Sequence, residues 1–189
     1  MKSMDKKELI LSEAEKLFAE KGYYGLGLSE LLKRCSIPKG SFYYYFPDGK
    51  IQLIQEVLEY SYQRMRTRIA EWMMDEPTAL SAFSRMADRL SRGVVEKRML
   101  ASMLLSMIAI ESVYLDPQVN ETCQRLYADW QQYYAACLNH FGVPAEACQA
   151  KAQAVFALIH GSLISSWIKH NPEDLQLAKI SLKEILGQY

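Results

Sequence analysis

Three histidines and four cysteines are the residues of this chain best suited to holding a metal or acting as nucleophiles, and their spacing argues against both. His140, His160 and His170 lie ten or twenty residues apart, whereas two ligands on one helix face recur within about a turn. Cys35, Cys123, Cys137 and Cys148 include no CxxC pair. Cys123 and Cys137, fourteen residues apart, would sit ~21 Å from each other on one continuous helix. A disulfide needs its Cα atoms within ~7 Å. No Ser/His/Asp grouping and no phosphate-cradling glycine loop stands out. The expectation is therefore no enzyme, no metal and no cofactor, with the histidines partly buried and the thiols reduced.

A different set of side chains suggests recognition instead of reaction. The stretch Lys39-Gly40-Ser41-Phe42-Tyr43-Tyr44-Tyr45 follows the turn Ser36-Ile37-Pro38 and a short helix opening near Ser29. Two short helices joined by a tight turn and propped by an amphipathic helix describe a helix-turn-helix, whose second helix fits the major groove. Phe42 and Phe46, four apart, share a face that can bury against the first helix. Tyr43, Tyr44 and Tyr45 then project elsewhere, with hydroxyls able to reach phosphates or base edges. Gly40 removes a side chain where a backbone would approach DNA, and Ser29 is expected to cap its helix and aim amides at a phosphate. Aromatic clusters also form ordinary cores, so this pattern leaves plain helical packing open beside DNA contact.

The elements that would position these residues are helical throughout. Apolar residues recur at helical spacing over about 5–21, 29–35, 39–45, 50–74, 78–96, 98–114, 117–140, 144–170 and 172–187, and no alternating strand appears. The fold class is all-α with about nine helices. Gly22 is placed for a left-handed end to the first helix, and Pro77, Pro117, Pro144 and Pro172 are expected in the first turns of later ones. Met99, Leu100, Met103, Leu104 and Met107 make one helix apolar nearly all round, which predicts its burial. Half of the 189 residues are hydrophobic and 23% charged, as in a soluble globular chain. Its 22 basic and 22 acidic residues balance, so bulk charge does not mark it as binding nucleic acid; residues 1–50 carry nine of the former and seven of the latter. No secretory leader and no apolar run of membrane-spanning length is seen, and a cytoplasmic location is expected.

The segment from Gly22 to Leu53, above all Lys39-Gly-Ser-Phe-Tyr-Tyr-Tyr-Phe46 followed by Lys50, resembles the signature of TetR-family transcriptional regulators. The resemblance covers the first 55 residues or so, and the nine-helix pattern fits the family over the whole chain. It implies a DNA-binding domain at 1–49 with three helices, and a ligand-binding and dimerisation domain at 50–189 that a connecting helix at 50–75 introduces. By position, it implies that Lys39, Gly40, Ser41, Tyr43 and Tyr44 face bases or adjacent backbone, while Ser29, Tyr45 and Lys50 hold phosphates. Three departures accompany it. Ser36 stands where glycine is usual, Gly27-Leu28 where threonines are common, and the Pro-Asp-Gly-Lys loop is one residue longer than most. That loop is similar to the Phe-Pro-Gly-Gly-Lys variant of drug- and quinone-responsive regulators like LmrA and YxaF.

For the second domain, methionine and aromatic content suggests an adaptable apolar pocket. Candidate walls are Phe83, Met86, Met103, Met107, Trp130, Tyr133, Tyr134 and Phe156, with Glu111, Tyr114 and His160 as polar anchors; each also suits plain core. The resemblance assigns the last two helices to a four-helix dimer interface, for which Val155, Leu158, Gly161, Ser162, Ser165, Trp167, Ile180 and Ile185 are the candidates; packing within one subunit is the alternative. The partners expected are operator DNA, a second copy of the chain and a small lipophilic or aromatic effector that releases a repressor from DNA. A cysteine-based redox sensor of the same fold and a helical protein-interaction module are the rival functions.

Overall fold

Caps and turn residues divide the computed structural model into nine helices, with no strand, among the residues it describes, namely 5–96, 101–114, 116–187 and 189. They are α1 (Lys6–Gly25), α2 (Leu28–Cys35), α3 (Lys39–Tyr45), α4 (Lys50–Met73), α5 (Ala79–Val95), α6 (Ala101–Ser112), α7 (Pro117–His140), α8 (Ala145–Lys169) and α9 (Glu173–Leu186).

Local chemistry accounts for most boundaries. The Asp5 side chain caps α1 by accepting from the Lys7 N–H at 3.4 Å. Inside α1 the chain kinks at Gly22, with φ +69° and ψ −178°, an extended region essentially reserved for glycine and distinct from the left-handed helical turn anticipated there. Ser29 does not cap α2: the cap is Gly27, no side chain contributes, and Ser29 falls inside the first turn. At the other end Ser36 adopts the left-handed conformation (φ 52°, ψ 44°) despite lacking glycine's freedom. Two backbone bonds offset that cost, Ser36 N–H to Lys33 C=O at 3.2 Å and Ile37 N–H to Leu32 C=O at 3.1 Å. Thr78 and Ser81 form a reciprocal capping box on α5. Of the prolines, only Pro117 opens a helix; Pro144 and Pro172 stand at the cap and Pro77 before it.

Two compact units result, one of Met1–Arg64 with Leu104–Arg125 and one of Met65–Met103 with Leu126–Tyr189. The dividing lines fall within α4, α6 and α7. In the first unit Ile10, Leu17, Phe18, Leu31, Phe42, Phe46, Leu53 and Ile54 form a fully buried core. In the second, Phe83, Met86, Trp130, Tyr134, Val155, Ile159, Leu182 and Leu186 do so. Helix α6 is less enclosed than its composition predicts. Leu104, Leu105 and Ile108 are buried, but Met107 is half-buried and Ile110 is 72% exposed. Met99 and Leu100 lie outside the described residues. No helix among the described residues is long and apolar enough to cross a membrane.

Candidate nucleic-acid interface

Helix α3 has two chemically distinct faces, and its neighbours dictate which is which. Phe42 is buried, and its ring lies 5.3 Å from that of the equally buried Phe46, anchoring the helix in the core. The opposite face stays open: Tyr44 is 80% exposed and Tyr43 is 43% exposed. Lys39 is exposed and its Nζ stands 5.8 Å over the Tyr43 ring, a cation–π contact that holds charge and hydroxyl side by side. Ser41 and Tyr45 are half-buried, with the Tyr45 ring edge-on to Tyr44 at 5.0 Å. Gly40 is exposed, and a Cβ there would meet nothing of this chain within 4 Å, so internal packing does not require glycine. Ser29 is exposed on α2.

Lys50 has a different setting from the other sequence-selected residues. Its ammonium donates to the Leu26 carbonyl at 3.0 Å and lies 4.4 Å over the Tyr23 ring. Burial there pushes its pKa down, and the Glu111 carboxylate opposes that shift. Burial likewise raises the Tyr23 phenol. The Lys50 cation is thus committed to the link between α1 and α2.

Polar ties stiffen the frame behind α3. Glu15 accepts from Ser61 Oγ and from Arg64, both at 2.5 Å, and Lys7 pairs with Glu56 at 2.7 Å, so α1 and α4 are joined at three places. Gln55 donates to Thr122 Oγ1 at 3.1 Å and Arg125 pairs with Glu59 at 2.8 Å, tying α4 to α7. Cys35 is buried at the end of α2, and desolvation raises its thiol pKa.

The second unit brings together most of the residues proposed for a pocket. Tyr134 is fully buried, with rings of Phe83 at 5.2 Å, Phe156 at 5.8 Å and Trp130 at 6.1 Å, and its hydroxyl donates to Met86 Sδ at 3.5 Å. Desolvation raises that phenol strongly. His160 lies tilted against Phe156 at 3.9 Å, and burial pushes its pKa down to about 4, so the imidazole is neutral. Tyr133 is half-buried and its hydroxyl donates to the Arg66 carbonyl at 3.3 Å; Met103 is buried in the same unit. Three residues, among them Tyr114, fall elsewhere. Met107 and Glu111 belong to the first unit, where Glu111 accepts a hydrogen bond from the Tyr23 N–H at 3.0 Å. Tyr114 is 84% exposed.

Of the residues chosen for an interface on α8 and α9, Val155 is wholly buried within its own unit and offers no surface to a partner. Leu158, Ser162, Ser165, Trp167 and Ile185 are half-buried, with the Ser165 hydroxyl donating to Asp174; Gly161 and Ile180 are exposed. Ile164, which the sequence also places on these helices, is exposed; sequence reasoning missed Ile168 and Leu177, which are exposed too and share helical spacing with Gly161 and Ile180. Their three- and four-residue spacing was the available signal.

The comparisons with known proteins agree with this geometry. Residues 10–57 match the family model for bacterial regulatory proteins of the tetR family, and residues 79–180 that for the C-terminal domain of LmrA/YxaF-like transcriptional regulators. The chain is 30% identical to the HTH-type transcriptional regulator LmrA of Bacillus subtilis over 174 residues, 90% of this chain and 91% of that one. Over 67 residues, 35% of this chain and 33% of the relative, it is 42% identical to the HTH-type transcriptional repressor NemR of Escherichia coli. The crystal structure of reduced E. coli NemR superposes with a TM-score of 0.83 at 24% identity, covering 96% of this chain and 97% of that one, a likeness of fold. The helix-turn-helix with its tyrosine-rich third helix and the two matched models together establish that this chain belongs to the TetR family of transcriptional regulators, with a C-terminal domain of the LmrA/YxaF-like type.

Proposed function

We propose that the chain is a homodimeric, cytoplasmic repressor that binds operator DNA through α3 and is released by a small lipophilic or aromatic molecule held in the second unit. The observation that carries the DNA contact is the split of α3 into a buried Phe42/Phe46 face and an open face of Lys39, Gly40, Tyr43 and Tyr44. Exposed aromatics joined to a lysine cost solvation unless a partner covers them, and a duplex supplies both phosphates and base edges. Ser29 on α2 and Tyr45 on α3 contact flanking phosphates in this reading, while Lys50 supports the link behind them. The exposed Ile164, Ile168, Leu177 and Ile180 support pairing of two copies across α8 and α9. At Gly161 a Cβ would meet nothing within 4 Å, which leaves room for a partner helix. Such a dimer presents two α3 helices to half-sites about one helical turn of DNA apart, or a multiple of that.

Phe83, Met86, Trp130, Tyr134 and Phe156 supply aromatic and thioether walls for the effector, with His160 as a neutral polar group among them. Repression, the activity for which E. coli NemR is named, is the favoured direction. Thiol sensing is disfavoured, because burial raises the thiols of Cys35, Cys123 and Cys137 and so suppresses the reactive thiolate.

Fluorescence anisotropy of the purified protein on duplex DNA from upstream of its own gene, over a salt series, tests the reading. Competitor-resistant binding with log affinity falling linearly in log salt is the expected result. Equal affinity for scrambled duplexes at low salt, with the protein folded and dimeric, would overturn it for that site.

A further inference from the structure

The link between α1 and α2 is held from outside by residues nearly ninety positions away. Glu111, in the last turn of α6, accepts from the Tyr23 N–H through Oε2 at 3.0 Å. Its other oxygen lies where a Cβ on Gly22 would come, 2.8 Å away. Gly22 is thus doubly required: for its backbone angles and for the space that the carboxylate fills. Immediately beyond, the Tyr24 hydroxyl donates to the Tyr114 carbonyl at 3.4 Å. On the other side Lys50 packs its ammonium on the Tyr23 ring and hydrogen-bonds to Leu26. The kinked end of α1 and the residue after it, 22–26, are therefore gripped between the end of α6 and the start of α4. Their backbone enters α2, which in turn leads through Ser36 to the DNA-facing α3.

The geometry points to Glu111 as a positioning residue for operator binding: its carboxylate clasps the Gly22–Tyr23 backbone and thereby fixes where α2 and α3 are presented. This inference rests on the operator-binding reading above and adds to it a residue that touches no DNA. A hydrogen bond to a charged acceptor in a partly buried place typically changes an equilibrium by about tenfold or more. Release of this one is therefore visible both in the link and in DNA affinity.

The test compares E111A, E111Q, G22A and the double variant G22A/E111A with the parent protein in two measurements. One is hydrogen exchange at the Tyr23 amide, followed by NMR; the other is anisotropy on the upstream duplex. E111A is expected to expose the Tyr23 amide and weaken operator binding by about tenfold or more. E111Q, whose amide oxygen can still accept the N–H, should restore most of both. G22A crowds the carboxylate and also strains the backbone at φ +69°, so the double variant should lose more than E111A alone by the strain at Gly22. Unchanged Tyr23 protection in E111A would overturn the clasp itself, whatever the DNA result. Faster exchange at Tyr23 with operator affinity and salt slope unchanged would overturn the role in binding. A parent protein that binds no duplex would count against the operator reading, and the exchange data would still decide the clasp. Should E111A melt early, E111D, whose shorter side chain draws the carboxylate back from the Tyr23 N–H, carries both measurements.

Discussion

The two compact units of this chain differ most in their interiors, although both carry polar ties between helices, those of the second running from Gln176 and Lys179 to Asp88. The first is joined by directional polar ties: Glu15 to Ser61 and Arg64, Gln55 to Thr122, Glu59 to Arg125, Glu111 to the Tyr23 N–H. The interior of the second is dominated by rings and thioethers around Tyr134, where the phenol donates to a methionine sulfur and His160 lies tilted against Phe156. Directional ties fix the angle at which a helix is presented, which a groove-reading surface requires. Packed rings tolerate exchange of shape, which suits a unit that accommodates a molecule of variable form.

The largest effects come from each core. Phe42 and Phe83 are both fully buried, and replacing either with alanine should cost about 3–5 kcal/mol by urea denaturation. The consequences then part. F42A removes the anchor of α3 and should abolish specific duplex binding, while F83A should leave residual operator binding in the fraction that stays folded. An F42A protein with parental stability would show that α3 does not depend on its buried face.

His160 gives the next largest contrast. Its folded pKa is depressed to about 4 by burial, against 6.5 in the unfolded chain. Between those values the unfolded state binds more protons, so stability falls as pH drops below about 6.5 and levels off near 4. The loss amounts to about 3 kcal/mol, and nothing from this residue is expected above pH 7. Urea titrations of the parent and H160F across pH 4–7 should diverge by that amount, H160F being the flatter. Parallel curves would mean that the imidazole gains its proton without leaving its place.

The polar frame of the first unit sits lower on the scale. Glu15 serves two donors from α4, and E15A should cost about 1–2 kcal/mol, since the buried Ser61 hydroxyl loses a charged acceptor while Arg64 can turn to water. The same denaturation series measures it. A null effect would shift the stiffness of α1 on α4 to Lys7–Glu56 and the apolar contact between them.

Much of this was legible in the sequence, and the parts that were not have physical reasons. Helix boundaries followed from period and punctuation to within a few residues, because glycine, proline and capping residues act locally. The helix-turn-helix was legible because reading DNA demands particular residues at particular places. The cap of α2 at Gly27 was missed because a serine two residues on competes as a plausible cap, and Ser36 takes a conformation usually given to glycine. Glu111 looked like a pocket anchor because its partner is a backbone N–H 88 residues away, and backbone amides carry no signature in sequence. The acceptor of the Lys50 hydrogen bond, the Leu26 carbonyl, is equally anonymous in the sequence. Within α8 and α9, periodicity named the apolar residues but not which stripe the unit keeps for itself. Val155 went inward and Ile164 outward.

The smallest stability effects make the sharpest comparison, because one atom can be removed from each unit. Y134F deletes a hydroxyl whose hydrogen bond goes to a thioether at 3.5 Å; Y44F deletes one on a ring that is 80% exposed. Neither should change stability by more than about 0.5 kcal/mol, the first because a weak bond and a desolvation cost vanish together, the second because water served the group already. Operator affinity should separate them. Y44F is expected to bind the upstream duplex several-fold more weakly, as loss of one phosphate or base contact implies, with Y134F at parental affinity. If Y44F also binds at parental strength, the ring and not the hydroxyl of Tyr44 meets the duplex, and Y44A should then show the loss. A destabilised Y134F would instead mean that the sulfur contact orders the whole aromatic cluster, and that the second unit too depends on one directional bond.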